Sequence, residues 1–203
     1  MQEQPLEAPS FAVHDQIEVD PKTTALIIVD MQNDFCHPDG RLFVPEAPKT
    51  LDAIGHLLSI ARASGMCVVF TQDWHENDDP EFAIWGEHAV AGTWGAEIVD
   101  ALKPRQDEHI VRKVRYDAFY GTHLDHLLRL RGVETLIICG TVANICVHYT
   151  AASAALRWYR VIVPIDAISA LSPFDKHSTC HQVASLFTGR LTRAEGIRVK
   201  ATG

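Results

Sequence analysis

The sequence predicts an α/β protein in which a parallel β-sheet carries helices on both faces. Short, continuous apolar segments recur along the chain, and they are typical of strands buried on both faces. Segments with apolar residues at helical spacing lie between them, and this alternation predicts a parallel sheet. The chain has 203 residues, 47% hydrophobic and 22% charged, so it is long enough to form one well-packed domain.

Six apolar segments predict the strands of this sheet. Pro164 lies in the fifth segment, and because proline cannot donate a ladder hydrogen bond it predicts a bulge or an edge position there. The segments are TALIIVD (24–30), MCVVFTQD (66–73), HIVRKV (109–114), ETLIIC (134–139), VIVPID (161–166) and the short GIRV (196–199).

Four segments between the strands predict helices. Thr122 caps the second helix, and Gly65 and Gly132 end the first two, because glycine readily adopts the left-handed conformation of a helix C-terminus. The third helix begins at Cys146. The apolar stripes that define the four helices cover 51–61, 124–128, 147–158 and a segment near 176–188.

Two segments fall outside this alternation. Residues 1–22 are polar and contain proline, so we expect an N-terminal arm that precedes a single domain over 23–203. Residues 74–96 form a long irregular stretch, and loops of this length are usually functional or disordered. Four bulky aromatic side chains argue against disorder in this loop: Trp74, Phe82, Trp85 and Trp94.

Charge and composition exclude several classes of protein. The net charge of −8 argues against a nucleic-acid-binding surface and against attraction to anionic membranes. No apolar segment is long enough to span a bilayer, and the first residues lack the pattern of a signal peptide. Five cysteines without framework spacing favour a reducing compartment, so we expect a cytoplasmic protein.

Four reactive side chains fall at the ends of predicted strands. Asp30, Asp73 and Lys113 end or nearly end the first three strands, and Cys146 follows the fourth. In parallel sheets, ligands bind at the carboxyl ends of the strands. We therefore expect these four side chains to lie along one edge of the sheet.

Cys146 is the candidate nucleophile. A helix N-terminus and a nearby Lys113 ammonium are expected to lower its thiol pKa, and Asp30 can accept the thiol proton. The backbone N–H groups of the turn can hold a developing oxyanion. A lone cysteine is more often a small buried hydrophobe, but the three groups together favour the nucleophile. The other cysteines are interpreted as core or incidental surface residues: Cys36, Cys67, Cys139 and Cys180.

Three ordered motifs resemble the isochorismatase-like cysteine hydrolases: VDMQNDF (29–35), VRKVRYDAF (111–119) and GTVANICV (140–147). This group includes nicotinamidases, N-carbamoylsarcosine and ureidoacrylate amidohydrolases, and isochorismatases. The resemblance spans about residues 24–170 and implies a three-layer α/β/α fold with a six-stranded, mostly parallel sheet. It also implies a catalytic triad of Asp30, Lys113 and Cys146, a cis peptide bond before Val142, and an oxyanion hole formed by the N–H groups of Val142 and Cys146.

The long loop carries a candidate metal site. Asp73, His75, Glu81 and His88 supply two carboxylates and two imidazoles, a set that suits zinc, iron or manganese. Their spacing alone favours a solvated loop. The resemblance to nicotinamidases, which bind a metal through an Asp-x-His pair and two later ligands, implies that these four residues bind a divalent metal; no organic cofactor is expected.

The same resemblance implies residues that contact the substrate. Phe35 and Trp85 match aromatic positions that clamp a substrate ring, and Gln32 matches a position near the metal ligands. Tyr116 and Tyr120 are further candidates for the pocket. For each of them ordinary packing or a loop hydrogen bond is the alternative interpretation.

The resemblance implies hydrolysis of a small amide, with nicotinamide as the first expectation. Asn144 stands where many nicotinamidases have aspartate, and an Arg-Tyr pair follows Lys113; both features are similar to ureido and carbamoyl amidohydrolases. Cys146 argues against vinyl-ether hydrolysis, because isochorismatases proper lack this cysteine. A catalytically silent binding module and a redox-sensing thiol are alternatives from other classes. The resemblance also implies a homo-oligomer, a dimer or a tetramer.

Overall fold

In the computed structural model, which describes residues 8–200, the predicted apolar segments form strands. The strands β2 and β5 contain only buried residues, which explains their continuous apolar sequence. In chain order the strands are β1 (Ile17–Val19), β2 (Thr24–Val29), β3 (Cys67–Asp73), β4 (His109–Lys113), β5 (Thr135–Thr141), β6 (Arg160–Pro164), β7 (Ile168–Ser169), β8 (Arg190–Thr192) and β9 (Ile197–Val199).

The main sheet has the strand order β4-β3-β2-β5-β6-β8, and every neighbouring pair is parallel. The short β7 pairs with the end of β5. Helices α1 to α6 are Asn33–Cys36, Leu51–Ser64, Phe82–Trp85, Leu124–Leu130, His148–Leu156 and Pro173–Ser185.

Successive side chains of β2 point to opposite faces of the sheet and enter two separate cores. Leu26 and Ile28 belong to a cluster that contains the apolar face of α2. Ala25, Ile27 and Val29 belong to a second cluster with residues of α4, α5 and α6. The sheet is therefore covered on both sides, and the predicted three-layer α/β/α fold is confirmed.

The predicted last strand is part of another sheet. Ile197–Val199 pairs with Ile17–Val19 in a separate two-stranded sheet, and the sixth strand of the main sheet is Arg190–Thr192. Three residues are too few for a recognisable apolar pattern, so the sequence analysis missed β8. Of the two expectations for Pro164, the edge position is wrong, because β6 pairs with both β5 and β8. Pro164 is the last residue of β6, and the pairing of β5 passes from Ile162 to Ile168 across an irregular segment that contains it.

The boundaries of two helices, α5 and α6, differ from the prediction. Helix α6 begins at Pro173, because the hydroxyl of Ser172 accepts a hydrogen bond from the Asp175 N–H at 3.2 Å. Helix α5 begins at His148 and not at the predicted Cys146, which lies in the π-helical turn before it. The helix ends at Leu156, so Trp158 is not part of it; Trp158 has a φ of 67° and is 92% exposed. Helix α4 begins at Leu124, whose N–H donates to the Thr122 hydroxyl at 3.2 Å.

The predicted N-terminal arm lies partly outside the described residues. Residues 1–7 of the arm and 201–203 of the predicted domain are not described. From residue 8 onward, the chain contacts the domain through β1 and through a bridge between Val13 and Leu191. Within residues 8–200, no helix is both long and apolar enough to cross a membrane.

Candidate active site

A cavity of about 280 Å³ opens at the carboxyl ends of the central strands. Asp30 directly follows β2, Asp73 ends β3, and Cys146 follows β5; all three line this cavity. Lys113 ends β4, in register with Asp73. The sheet therefore brings together the four reactive side chains that the sequence analysis expected at one edge.

Lys113 is the centre of this group. Its side chain is fully buried, and its ammonium lies 2.7 Å from Oδ2 of Asp30 and 3.6 Å from Sγ of Cys146. It also donates a hydrogen bond to Oδ1 of Asp73. Burial alone would lower the lysine pKa, but the two carboxylates raise it well above its usual value. Lys113 is therefore a permanent cation between two acids and a thiol.

Asp30 is buried, with a raised pKa. It has a φ of 49°, an uncommon conformation for a residue other than glycine. The Thr71 hydroxyl donates to its Oδ1 at 2.6 Å, and the Asp30 N–H donates back to the Thr71 hydroxyl at 3.1 Å. Burial raises the pKa of Asp30 to about 6, although Lys113 and Thr71 oppose this shift. Near neutral pH, Asp30 is a carboxylate that can accept a proton.

Cys146 lies in a π-helical turn, Ala143–Val147, that leads directly into α5. Its thiol pKa is raised well above the usual value by burial and by Asp30 and Asp73, and Lys113 offsets only part of this. The expectation of a lowered thiol pKa is therefore wrong, because the sequence showed the favourable helix and lysine but not the degree of burial. The thiol keeps its proton until a neighbouring base removes it.

The turn before Cys146 has an unusual backbone. The Thr141–Val142 peptide bond is cis, as the resemblance implied. Gly140 has a φ of 117°, and a Cβ at this position would collide with the backbone of Val29. Thr141, Val142 and Cys146 line the cavity. Val142 is the N-cap of the turn that contains Cys146. Because N–H groups at the start of a helix have no intrahelical acceptor, those of Val142 and Cys146 are suited to donate hydrogen bonds to a ligand oxygen.

The other four cysteines occupy different surroundings. Cys36, Cys139 and Cys180 are buried, and Cys67 is half-buried at the start of β3. Burial raises the pKa of Cys36 to about 12 and that of Cys180 to about 11. None of the four lies in the lining of the cavity that the described residues form. All five cysteines are free thiols.

Three of the four predicted metal ligands form a compact cluster beside Cys146. Asp73, His75 and His88 offer ligand atoms that all lie within 4.8 Å of one another, and all three residues are buried. Nδ1 of His75 lies 2.9 Å from Oδ2 of Asp79, and Nδ1 of His88 lies 2.7 Å from the Gly86 carbonyl oxygen. If these nitrogens are protonated, both Nε2 atoms are left as free acceptors.

The donor set fits a divalent metal. Nε2 of His75 is buried and has no hydrogen-bond partner, and it lies 3.9 Å from Oδ2 of Asp73. A carboxylate or a carbonyl behind the second ring nitrogen is the usual support for a metal-binding histidine. Glu81 lies at the side of the cluster: its Oε1 is 4.0 Å from Nε2 of His88, and its Oε2 is 3.7 Å from the guanidinium of Arg115.

Three of the five predicted substrate contacts line the cavity. Phe35 and Trp85 are on its wall with Tyr116, whose hydroxyl accepts a hydrogen bond from the indole N–H of Trp85 at 2.9 Å. Tyr120 is 64% exposed and is not in the lining. Gln32 is fully buried; its amide bonds the backbone of Asp73 and Ala96 and thereby fixes the end of β3.

A family model described as the isochorismatase domain matches residues 24–195. The chain belongs to the isochorismatase family. The resemblance drawn from the three sequence motifs is confirmed.

Several proteins with named activities are similar to the chain. The ureidoacrylate amidohydrolase RutB of Caulobacter segnis is 31% identical over 206 residues, which cover 88% of this chain and 86% of the relative. The structure of N-carbamoylsarcosine amidase from Thermoplasma acidophilum is 38% identical, with a TM-score of 0.79 and coverage of 89% and 99%. The pyrazinamidase of Pyrococcus horikoshii, solved in complex with zinc, is 31% identical, with a TM-score of 0.77 and the same coverage.

The isochorismatase-family site also contains residues that the sequence analysis did not select. Thr71 holds Asp30, Asp79 supports His75, and Arg115 lies 3.0 Å from both oxygens of Asp79. Arg41 lines the cavity. A positional signal existed for two of them, since Thr71 lies two residues before Asp73 on one strand and Arg115 lies two residues after Lys113. For Asp79 and Arg41, which lie in loops, the sequence offered no periodicity.

Proposed function

We propose that this protein is a cysteine amidohydrolase that cleaves the C–N bond of a small ureido or N-carbamoyl compound. The observation that carries the proposal is the buried group of Asp30, Lys113 and Cys146 on the wall of one small cavity. A nucleophile, a base and a fixed cation are the parts that acyl transfer requires. The similarity to ureidoacrylate and N-carbamoylsarcosine amidohydrolases supports the ureido class over nicotinamide.

The first half of the reaction forms a thioester. Asp30 takes the Cys146 proton as the sulfur attacks the carbonyl carbon, and Lys113 stabilises the negative charge that develops on sulfur. The N–H groups of Val142 and Cys146 donate to the oxyanion. Asp30 then gives its proton to the departing nitrogen. The C–N bond breaks, and the acyl group stays on the Cys146 sulfur as a thioester.

The second half of the reaction releases the acyl group. Asp30 removes a proton from water, whose oxygen attacks the thioester carbon; the C–S bond breaks, and Asp30 returns the proton to the Cys146 thiolate. For a ureido substrate the acyl product is a carbamate, which decomposes to carbon dioxide and an amine. The overall change is R–NH–CO–NH₂ + H₂O → R–NH₂ + CO₂ + NH₃, whichever nitrogen departs first.

A divalent metal at Asp73, His75, Glu81 and His88 is part of the proposal. Such an ion would supply Lewis-acid chemistry, or a coordination position for a substrate heteroatom, next to the nucleophile. The residues themselves orient the site: Asp79 and the Gly86 carbonyl hold the two imidazole rings, and Gln32 holds the backbone of Asp73. The zinc in the pyrazinamidase structure supports this assignment.

Deamidation of nicotinamide is the second candidate. It is favoured by the histidine–aspartate cluster beside the cavity and by the aromatic wall of Phe35, Trp85 and Tyr116, which could hold a flat ring. Hydrolysis of a ureido compound and deamidation of nicotinamide share one mechanism. They differ in the shape and polarity of the substrate that the cavity binds.

The test is release of ammonia by the purified protein from ureidoacrylate, N-carbamoylsarcosine and nicotinamide, supplied separately. We expect turnover of a ureido compound with kcat/KM well above that for nicotinamide. Preferred turnover of nicotinamide would replace the first candidate by the second. Turnover of none of these compounds, by a folded protein, would contradict both.

Two variants assign the reaction to the site. Cys146→Ala should abolish ammonia release, and Cys67→Ala, which removes a half-buried thiol outside the cavity lining, should leave it unchanged. A burst of one equivalent of product followed by steady release separates an enzyme from a silent binding module and from a redox-sensing thiol, neither of which turns over.

A further inference from the structure

An ion pair connects two walls of the cavity at its rim. Arg41, in the loop after α1, lines the cavity, and its guanidinium pairs with the carboxylate of Glu87 from the loop after α3. Both side chains are 54% exposed. An exposed ion pair of this kind contributes little to stability, so Arg41 can leave Glu87 and pair with another anion at a small cost in free energy.

The backbone of Arg41 is held independently of its side chain. The buried carboxylate of Asp34 accepts hydrogen bonds from the Arg41 N–H at 3.0 Å and from the Ala89 N–H at 2.7 Å. Gly95 packs directly against this carboxylate, where a Cβ would collide with it. The two loops therefore keep their relation when the Arg41–Glu87 pair opens, and the guanidinium stays at the rim.

The remainder of the lining has no comparable cation to offer a substrate. Among the described residues that line the cavity, Arg41 is the only arginine or lysine, and Asp30, Asp73 and Glu81 are acids. The Lys113 ammonium already contacts the carboxylates of Asp30 and Asp73 and the Cys146 thiol. A negatively charged substrate would be repelled by the acids near Cys146 unless its charged end reached Arg41.

We propose that Arg41 binds the carboxylate of the substrate, and that Glu87 is the internal anion which this carboxylate displaces. The inference rests on the proposed ureido hydrolysis and narrows its substrate class to ureido acids. Arginine presents a planar pair of donors that matches a carboxylate in two parallel hydrogen bonds. The ureido end lies at Cys146 and the acid end at Arg41, so the cavity selects both charge and direction.

The two partners of the pair make opposite predictions. Arg41→Gln removes the cation and should weaken binding of an acid. Glu87→Gln keeps the cation and removes its competitor, and should strengthen binding of the same acid. A merely structural role for the ion pair would make both variants behave alike.

The experiment compares ureidoacetate with N-isobutylurea, an uncharged compound of similar shape. Dissociation constants are measured calorimetrically in a Cys146→Ala background, so the result does not depend on turnover. We expect Arg41→Gln to raise the Kd of ureidoacetate about tenfold or more, Glu87→Gln to lower it several-fold, and neither to change the Kd of N-isobutylurea by more than about twofold. Arg160→Gln is the matched control, because it removes an exposed ion pair with Glu134 outside the cavity lining.

Failure of this inference is distinguishable from failure of the proposed function. The role of Arg41 is overturned if the Cys146→Ala protein binds the two compounds with equal affinity. It is also overturned if Arg41→Gln weakens the binding of both compounds equally. Either result would hold even if the enzyme hydrolyses ureas. In the protein with Cys146 intact, Arg41→Gln should raise KM for ureidoacetate with kcat nearly unchanged. Charge-selective binding without any turnover would instead contradict the amidohydrolase and retain the carboxylate site.

Discussion

The ammonium of Lys113 lies 2.7 Å from the carboxylate of Asp30, and both side chains are buried. A second carboxylate, that of Asp73, contacts the same ammonium. One buried cation thus serves as the counter-charge of two buried carboxylates beside the Cys146 thiol. The group depends above all on this cation, because its removal would leave two charges without a partner in an interior that solvates them poorly.

Lys113→Met should therefore lower both stability and activity. We expect the free energy of unfolding to fall by about 3–5 kcal/mol, because Asp30 and Asp73 lose their counter-charge. Lys49→Met, which breaks an exposed pair with Glu46, should change it by less than about 0.5 kcal/mol. Chemical denaturation at neutral pH measures both. A Lys113→Met variant as stable as the unmodified protein would contradict the electrostatic account.

The pH dependence of the reaction should report on Asp30. Its carboxylate form is the base, and its pKa is raised to about 6, so kcat/KM should fall as the pH drops through about 6 and level off above it. Thr71→Val removes a hydrogen bond that stabilises the carboxylate, so it should shift this acidic limb to higher pH. A limb near pH 4, or an unshifted limb in the variant, would argue against Asp30 as the base.

Much of the fold follows from the local pattern of the sequence. The central strands could be predicted because both their faces are buried, which makes their sequences continuously apolar. In the edge strand β4, buried and exposed residues alternate from Ile110 to Lys113, as expected for a strand with one solvent-facing side. Strand β8 could not be predicted, because three residues carry too little pattern, and its place in the sheet is set by pairing with β6.

The site residues at the ends of strands could be predicted from the sequence, whereas those held in place by loops could not. Asp30, Asp73 and Lys113 follow from the rule for parallel sheets, and the register between β3 and β4 brings the last two together. Arg41 and Asp79 lie in loops that buried hydrogen bonds hold, and no periodicity marks such positions. The thiol pKa was predicted in the wrong direction, because burial depends on the whole fold.

Metal binding should depend on the two imidazoles. Zinc titrated into the metal-free protein should raise its melting temperature, and His88→Ala should abolish this shift. Asp79→Asn leaves the ligands in place but weakens the support of His75, so affinity should fall about 10–100-fold. His56→Ala, on the exposed face of α2, is the control. An unchanged zinc-induced shift in His88→Ala would exclude this cluster as the site.

The approach of β5 to β2 requires glycine at position 140. Its φ of 117° is a conformation that other residues rarely adopt, and a Cβ there would collide with Val29. Gly140→Ala should lower the free energy of unfolding by about 2–4 kcal/mol, through backbone strain and overpacking. It should also reduce activity, because the displaced segment leads directly to Val142 and Cys146.

Gly55→Ala provides the matched comparison, since a Cβ on that residue of α2 meets no atom within 4 Å. An alanine in a helix restricts the unfolded chain, so this variant should gain about 0.5–1 kcal/mol. Denaturation curves of the two variants, measured beside ammonia release, separate the effect of a lost glycine from the effect of its position. If both alanines were tolerated equally, the close contact between β2 and β5 would not be what holds the turn before Cys146.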